Sequence, residues 1–370
     1  MTASDALPHL IDSGCLTPFG DDIATHRALI EGRLAIAPHP VLGAEGGDSV
    51  PLALLPGRCL DETANPAWLG PLRTLAGRFK DGGWGQPRRP VIVTSSNFGV
   101  GSLYAFRRAD HDPGHLDHGT PCSSTNLLRR HFGWGPDVTI YSHACVSAHL
   151  GLLQATRRVA SNTADEVLVF SYDFLSPFVT GGFHALKILN EGFPAPYQRR
   201  ETGSIALGDG AAYAIVGRRK GDFRLTAQRV YNEHHHFTAN RPDGTGFRRV
   251  FDELGAAAKG RRVWLKGHGT GTLEAGRLEA EAFAAVFPEA PLVGWKGSLG
   301  HTLGSCGLVE LAIAVQCMRT RQAPGTVGTQ SPCFTPNVAT SPLNLNAMDS
   351  VICASNAFGG AHAAFILSDA

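Results

Sequence analysis

Val138-Thr139-Ile140-Tyr141-Ser142-His143-Ala144-Cys145-Val146-Ser147-Ala148-His149-Leu150-Gly151-Leu152 changes its period halfway along. The first four residues are an apolar, β-branched and aromatic run of the kind that fits a buried strand. From Ser147 onward, small and apolar residues recur at helical spacing. Cys145 sits at the changeover, where a strand hands over to a helix. Unpaired backbone N–H groups and the dipole of a helix N-terminus favour a thiolate there, and the thiolate is the nucleophilic form. A strand followed at once by a helix is the unit of an α/β fold, and the rest of the chain repeats the pattern.

Working outward, Val91–Ser96, Val167–Phe170, Ala206–Val216, Phe223–Tyr231, Val263–Lys266 and Leu292–Trp295 read as strands. Helical patterns cover Asp22–Glu31, Pro66–Lys80, Ser124–Phe132, the stretch from Cys145 to Ala160, Phe178–Leu189, Arg248–Lys259, Glu274–Phe287 and Leu303–Arg319. Val351–Ala354 and His362–Leu367 read as an antiparallel pair joined by Asn356–Gly360. Residues 36–65 and 320–347 are rich in turn formers and read as connection. Gly217–Asp222 is a charged break bounded by glycine. It divides the chain into a half over 1–218 carrying Cys145 and a half over 219–370. The halves share a rhythm of elements without a visible sequence repeat.

The 370 residues, 43% hydrophobic and 18% charged, are enough for a large soluble core. A net charge of +1 gives no field that would recruit nucleic acid or an anionic membrane. Eight dispersed cysteines without CxxC spacing fit free thiols in a reducing compartment. The N-terminal residues lack the apolar core of a signal peptide, and no run is long enough to span a bilayer, so the expected location is the cytoplasm. His111, His115 and His118 are loosely spaced in a polar loop, and His234-His235-His236 alternate in direction. Neither group reads as a metal site.

Two further segments carry chemistry. Val263–Lys266 delivers His268 within Lys266-Gly-His268-Gly-Thr270-Gly-Thr272. Leu292–Trp295 delivers Lys296 and then His301. With Cys145, these residues all fall at the carboxyl ends of strands, where open α/β sheets place their sites. One thiol and two imidazoles suit acyl transfer, with attack on a thioester and N–H donors for the charge that develops.

These motifs resemble the β-ketoacyl synthase family of the thiolase-like superfamily. Ala144-Cys145-Val146-Ser147-Ala148 is similar to its nucleophile motif. The His268 segment, with Glu279 downstream, and Lys296 to Glu310, containing His301, are similar to its two histidine motifs. Asn356-Ala357-Phe358-Gly359-Gly360 is similar to its C-terminal glycine loop. Gly208-Asp209-Gly210 and Leu16–Gly20 add weaker matches, so the likeness runs from about residue 14 to 368.

The resemblance implies a five-layered αβαβα sandwich of two similar halves and a ping-pong decarboxylative condensation. An acyl group would sit on Cys145 and malonyl-acyl carrier protein would extend it. His268 and His301 would hold the enolate. The backbone N–H groups of Cys145 and Phe358 would form the oxyanion hole, with Phe358 gating the acyl pocket and Gly359 and Gly360 supporting it in the loop. Lys296, with Glu279, would tune the charge, and none of this would need a metal or an organic cofactor. The implied partners are an acyl carrier protein and an identical or related subunit. Arg107-Arg108, Arg129-Arg130, Arg157-Arg158 and Arg199-Arg200 are candidate contacts for the carrier. A non-catalytic subunit of the chain-length-factor kind stays open as the alternative. The sequence departs from the family at Leu273 (usually proline), Gly276 (usually aspartate), Gly297-Ser298, Asn356-Ala357 and Ala361-His362. The short stretch over 36–90 bears on pocket and dimer edge.

Overall fold

Alternate residues of the apolar runs enter different cores, and that alternation builds the layers. In the computed structural model, which describes residues 7–41, 48–60, 69–108, 111–189 and 192–370, ten strands form the main path of one sheet. They are β1 (His9–Thr17), β2 (Val91–Thr94), β3 (Val138–Tyr141), β4 (Glu166–Asp173), β5 (Gly210–Gly217), β6 (Phe223–Asn232), β7 (Val263–Lys266), β8 (Leu292–Val293), β9 (Ser350–Ala357) and β10 (Ala361–Asp369). Their spatial order is β8-β7-β9-β10-β6-β1-β5-β4-β2-β3.

Read from each outer edge, the order is β3-β2-β4-β5-β1 in one half and β8-β7-β9-β10-β6 in the other. Strand directions agree as well. β2 runs parallel to β3 and β4, and β7 runs parallel to β8 and β9. β5 is antiparallel to β4 and β1, and β10 is antiparallel to β9 and β6. The halves meet through the short antiparallel pairing of His9 with Arg224 and Leu10 with Phe223. The sequence reading missed β1 as a strand, because His9-Leu10-Ile11-Asp12-Ser13 mixes polar and apolar residues without a clean period. β1 is nonetheless largely buried.

The helices that matter for the site are α1 (Asp22–Ile30), α2 (Leu69–Ala76), α3 (Val100–Arg108), α4 (Pro121–Phe132), α5 (Ser147–Ala160), α6 (Pro177–Ala185), α7 (Thr245–Ala257), α8 (Leu273–Val286), the single turn α9 (Lys296–Leu299) and α10 (Cys306–Thr320). Their ends follow local chemistry. Asp21 caps α1 by accepting from Ala24 N–H at 2.9 Å. Thr120 and Ser123 cap α4 reciprocally, and Gly133 closes it in the left-handed region. The helix expected over Pro66–Lys80 is Leu69–Ala76, and residues 61–68 lie outside the described residues. The helix expected to reach Leu189 ends at Ala185.

Three cores separate the layers. Ile92, Val167 and Val169 of one half and Trp264, Val351 and Cys353 of the other face a central core with Leu152 of α5 and Leu308, Leu311 and Val315 of α10. Val91, Val93, Leu168 and Phe170, the alternate residues, face α2 through Leu72 and Leu75. Val263, Leu265, Ile352 and Ala354 face α7 and α8 through Phe251 and Phe283. The succession is therefore helix, half-sheet, α5 with α10, half-sheet, helix: a thiolase-like α/β sandwich. Nearly every residue of α10 is buried, which its mostly apolar circumference anticipated.

Candidate active site

The turn between β3 and α5 is shaped by its own side chains. Ser147 Oγ donates to Ala144 O at 2.6 Å and accepts from His143 N–H at 2.8 Å. Ala144 is held at φ 44°, a left-handed conformation that costs a non-glycine residue energy. The constraint turns Cys145 off the strand end at the start of α5.

His301 reaches the same point from the other half. Its N–H donates to Ala206 O at 2.7 Å, and its carbonyl accepts from Gly208 N–H at 3.0 Å. Gly300 makes this approach possible. It sits at φ 69°, and a Cβ on it would lie 2.5 Å from Leu207 O. His301 Nε2 lies 3.0 Å from Cys145 Sγ. The His268 ring stands edge-on to His301, with centroids 5.0 Å apart and planes at 90°. All three side chains line one cavity of about 250 Å³.

Burial sets the protonation states. It drives the Cys145 thiol well above the ordinary range. Nearby Cys306 adds to the rise, and Lys296 pulls against it. Desolvation in the cavity thus works against the thiolate that the helix N-terminus favours. Burial, followed by the charges of Lys296 and Lys266, also holds His301 far below its usual value; His268 is shifted the same way, with His301 adding to the effect. The resting pair is therefore a neutral thiol donating to a neutral imidazole. Nδ1 of both His268 and His301 lacks a hydrogen-bond partner among the described residues, so neither tautomer is locked.

Below the histidines, Lys296 Nζ donates to Glu310 Oε1 at 2.5 Å and to His268 O at 2.8 Å. Lys266 pairs with the same Glu310 oxygen. Burial works against the charge of Lys296, yet Glu310 and Cys306 hold its pKa above the lysine norm, while burial pushes Lys266 down to about 8. Glu279 is not the partner of Lys296. It accepts from His268 N–H at 2.6 Å, Gly269 N–H at 3.2 Å and Tyr197 O–H at 2.8 Å, and so fixes the loop that carries His268. Gly276, where aspartate was expected from the resemblance, has only loose neighbours. The nearest atoms to an added Cβ are those of Tyr197, at 3.9 Å.

Phe358 is 38% exposed and stacks on Phe183 with centroids 5.9 Å apart, at the rim of the cavity. Gly359 and Gly360 follow in the left-handed region, where β9 turns into β10. Phe183, Leu186, Ile188 and Ile205 give the cavity an apolar wall. Thr270, Thr272 and Glu274 line it with polar groups.

Sequence reasoning placed Cys145, His268, His301 and Phe358, and the structure brings them to one cavity. Lys266 and Glu310 stand in the sequence only as ends of motifs, and nothing there marks Tyr197. A lysine at the end of an otherwise apolar strand is the signal that could have marked Lys266. His111, His115 and His118 lie on or beside the turn Pro113–His118, away from the cavity lining. Among the described residues, no group of three metal-ligating side chains occurs and no helix is long and apolar enough to cross a membrane.

Residues 224–330 match the family model described as beta-ketoacyl synthase, C-terminal domain. The chain is 27% identical over 284 residues to the tetracenomycin polyketide synthase ketoacyl synthase alpha subunit of Streptomyces glaucescens, covering 68% of this chain and 65% of that protein. It is 26% identical over 260 residues to the granaticin polyketide putative beta-ketoacyl synthase 1 of Streptomyces violaceoruber, covering 63% of this chain and 61% of that one. The chain thus spans less than two thirds of the length of these curated relatives. Among solved structures it superposes with a TM-score of 0.85 and 19% identity, over 100% of both chains, on a chain from the ketosynthase ApeO in complex with its chain length factor ApeC from Xenorhabdus doucetiae. A beta-ketoacyl synthase from Burkholderia phymatum gives 0.82 and 19%, over 98% of this chain and 99% of that one.

Proposed function

We propose that the chain is a beta-ketoacyl synthase family member and that it catalyses a decarboxylative condensation of polyketide type. An acyl group on Cys145 is extended by malonyl-acyl carrier protein to a 3-oxoacyl thioester. The observation that carries the reading is the 3.0 Å approach of His301 Nε2 to Cys145 Sγ, in a cavity that His268 also lines.

The residues supply each step. The thiol passes its proton to His301 Nε2 as sulfur attacks the thioester carbonyl, and the imidazolium returns the proton to the departing carrier thiol. This step needs the base because burial keeps the thiol protonated. Once Cys145 is acylated, it has no proton to offer. His301, with Nδ1 unpartnered, then takes the tautomer that donates from Nε2. The malonyl thioester loses carbon dioxide, and the electron pair of the broken C–C bond becomes an enolate. His268 and His301 hold its oxygen by hydrogen bonds. The enolate carbon attacks the acyl-cysteine carbonyl, whose oxyanion the Cys145 and Phe358 N–H groups receive, and the Cys145 sulfur leaves. Lys296 and Lys266 over Glu310 supply a net positive floor that favours these developing anions.

We propose an acyl carrier protein as the partner that presents both substrates, and a second subunit, identical or related, beside the chain. Solved relatives include a ketosynthase with its chain length factor, which supports the pairing. Exposed Arg199 and Arg200 are candidate carrier contacts. The unit boundaries proposed are 1–218 and 219–370, supported by the shared strand order.

A second reading, a weakly active or non-catalytic partner subunit, is supported by solved relatives in which a ketosynthase is paired with its chain length factor. Incubation with a panel of acyl carrier proteins, followed by mass spectrometry of the Cys145 peptide and measurement of carbon dioxide release from malonyl carrier protein, separates the two. An acyl adduct on Cys145 with decarboxylation is expected. No adduct and no decarboxylation, alone and with a partner subunit, would leave the partner-subunit reading.

A further inference from the structure

Two segments line the cavity together with Cys145, His268 and His301. One is the stretch after β6, of which Thr238, Ala239 and Asn240 reach the cavity. The other is the β9–β10 turn with Phe358. Their backbones are tied twice. Glu233 N–H donates to Gly360 O at 2.9 Å, and Gly359 N–H donates to Phe237 O at 2.7 Å.

A buried side-chain pair lies beneath these ties. His362 Nε2 lies 3.2 Å from Glu233 Oε1, with side chains only 2% and 1% exposed. The same Glu233 oxygen accepts from Arg241 N–H at 3.1 Å, so one carboxylate closes the segment on itself and holds it to β10. Burial keeps His362 below its usual pKa, although Glu233 pulls the other way, so the imidazole is a neutral donor to the carboxylate. Phe247 of α7 packs edge-on to His362 at 4.4 Å. Room for the pair is built in. A Cβ on Gly246 would lie 2.3 Å from His362 Nε2, and a Cβ on Gly360 would lie 2.5 Å from Glu233 Cγ. Burying a carboxylate and an imidazole costs free energy, and neither Glu233 Oε2 nor His362 Nδ1 recovers a hydrogen bond among the described residues.

We propose that Glu233 and His362 are positioning residues that latch the 233–241 segment to the Phe358 turn, fixing the width of the cavity mouth and hence the size of acyl group that reaches Cys145. The inference rests on the proposed function only in taking the occupant to be an acyl group. The latch itself concerns access to a thiol, and its test needs no turnover.

The test measures alkylation of Cys145, by mass spectrometry of its peptide, with iodoacetamide and with a bulky aromatic maleimide. His362→Leu and Glu233→Leu break the latch, while Glu233→Gln keeps an oxygen for both donors. Loss of the latch is expected to raise the ratio of maleimide to iodoacetamide rates about tenfold, the size of one lost buried hydrogen bond. Glu233→Gln stays within about twofold of the native ratio by the same reasoning. A merely structural role would lower the melting temperature and leave the ratio alone, which would overturn the proposal. If Glu233→Leu does not fold, His362→Leu and Glu233→Gln decide it. If these reagents bear the latch out and no carrier protein acylates Cys145, the proposed function fails while the latch stands.

Discussion

Replacing Glu279 by glutamine tests how His268 is held. The carboxylate is fully buried, and its two oxygens serve three donors: Oε1 takes His268 N–H at 2.6 Å, and Oε2 takes Gly269 N–H at 3.2 Å and Tyr197 O–H at 2.8 Å. Glutamine has one oxygen. Whichever way its amide turns, its NH2 faces a backbone N–H. The Tyr197 hydroxyl can reverse and accept, but a peptide N–H cannot. The variant loses one charge-assisted hydrogen bond, about 1.5–3 kcal/mol, and orphans a buried donor, about 1–3 kcal/mol. Part of this is offset, because burial already pushes the Glu279 carboxyl above its usual value and a neutral amide escapes that penalty. The expected net loss is about 2–4 kcal/mol, seen in urea unfolding as a lower midpoint with an unchanged slope. Freeing the loop also moves His268, so condensation should fall about tenfold to a hundredfold in kcat/KM. A Glu279→Gln chain with native stability would refute the account of the loop. Lost stability with native activity would show that the carboxylate does not position His268.

Lys296→Met removes the ammonium that pulls the Cys145 thiol down, so the thiol should rise further. Alkylation of Cys145 by iodoacetamide at pH 8 should slow about fivefold or more, and a faster rate would contradict the electrostatic reading. Asp173 is buried, and burial pushes its carboxyl up to about 6 from 3.8 against hydrogen bonds from Ser95, Ser96 and Asn97. The folded chain then binds that proton more tightly than the unfolded one, so stability falls as pH rises through the window from about 4 to about 6, by up to about 3 kcal/mol. Asp173→Asn should flatten that slope in unfolding curves taken across the window, and an unchanged slope would place the titration elsewhere. Gly300→Ala forces a side chain into the left-handed region and toward Leu207 O. A loss of about 2–4 kcal/mol should appear in thermal melts.

Much of this was legible because it is local. The step from β-branched residues to helical spacing marks the Cys145 turn, and the apolar runs of β2, β4, β7 and β9 announce buried strands. What escaped the sequence is non-local. β1 is a strand because β5 and β6 flank it, not because its own residues alternate. Glu279 was assigned to Lys296 because both stood in recognised motifs, yet Lys296 turns to Glu310, fourteen residues ahead on α10. Which acid meets which base depends on the packing of α8 and α10, and no spacing rule encodes that. The thiolate expectation meets an opposing effect for a related reason. A helix N-terminus is visible in a sequence, whereas the desolvation that opposes it is a property of the assembled cavity.

The repeated strand order explains why the site lies where it does. Cys145 occupies the turn between β3 and α5, the third strand and following helix of its half. His301 occupies the stretch between β8, the third strand of the other half, and α10, just past the single turn α9. The proposed nucleophile and base are therefore topological counterparts. Because α5 and α10 pack side by side in the central layer, their starts converge, and two strained residues, Ala144 at φ 44° and Leu303 at φ 52°, turn the chain into them. His268 follows β7, and its counterpart after β2 is Ser95-Ser96-Asn97, which ligates Asp173 instead of reaching the cavity. One half thus presents a thiol where the other presents imidazoles. Equivalent positions carry different chemistry on backbones that hold them opposed.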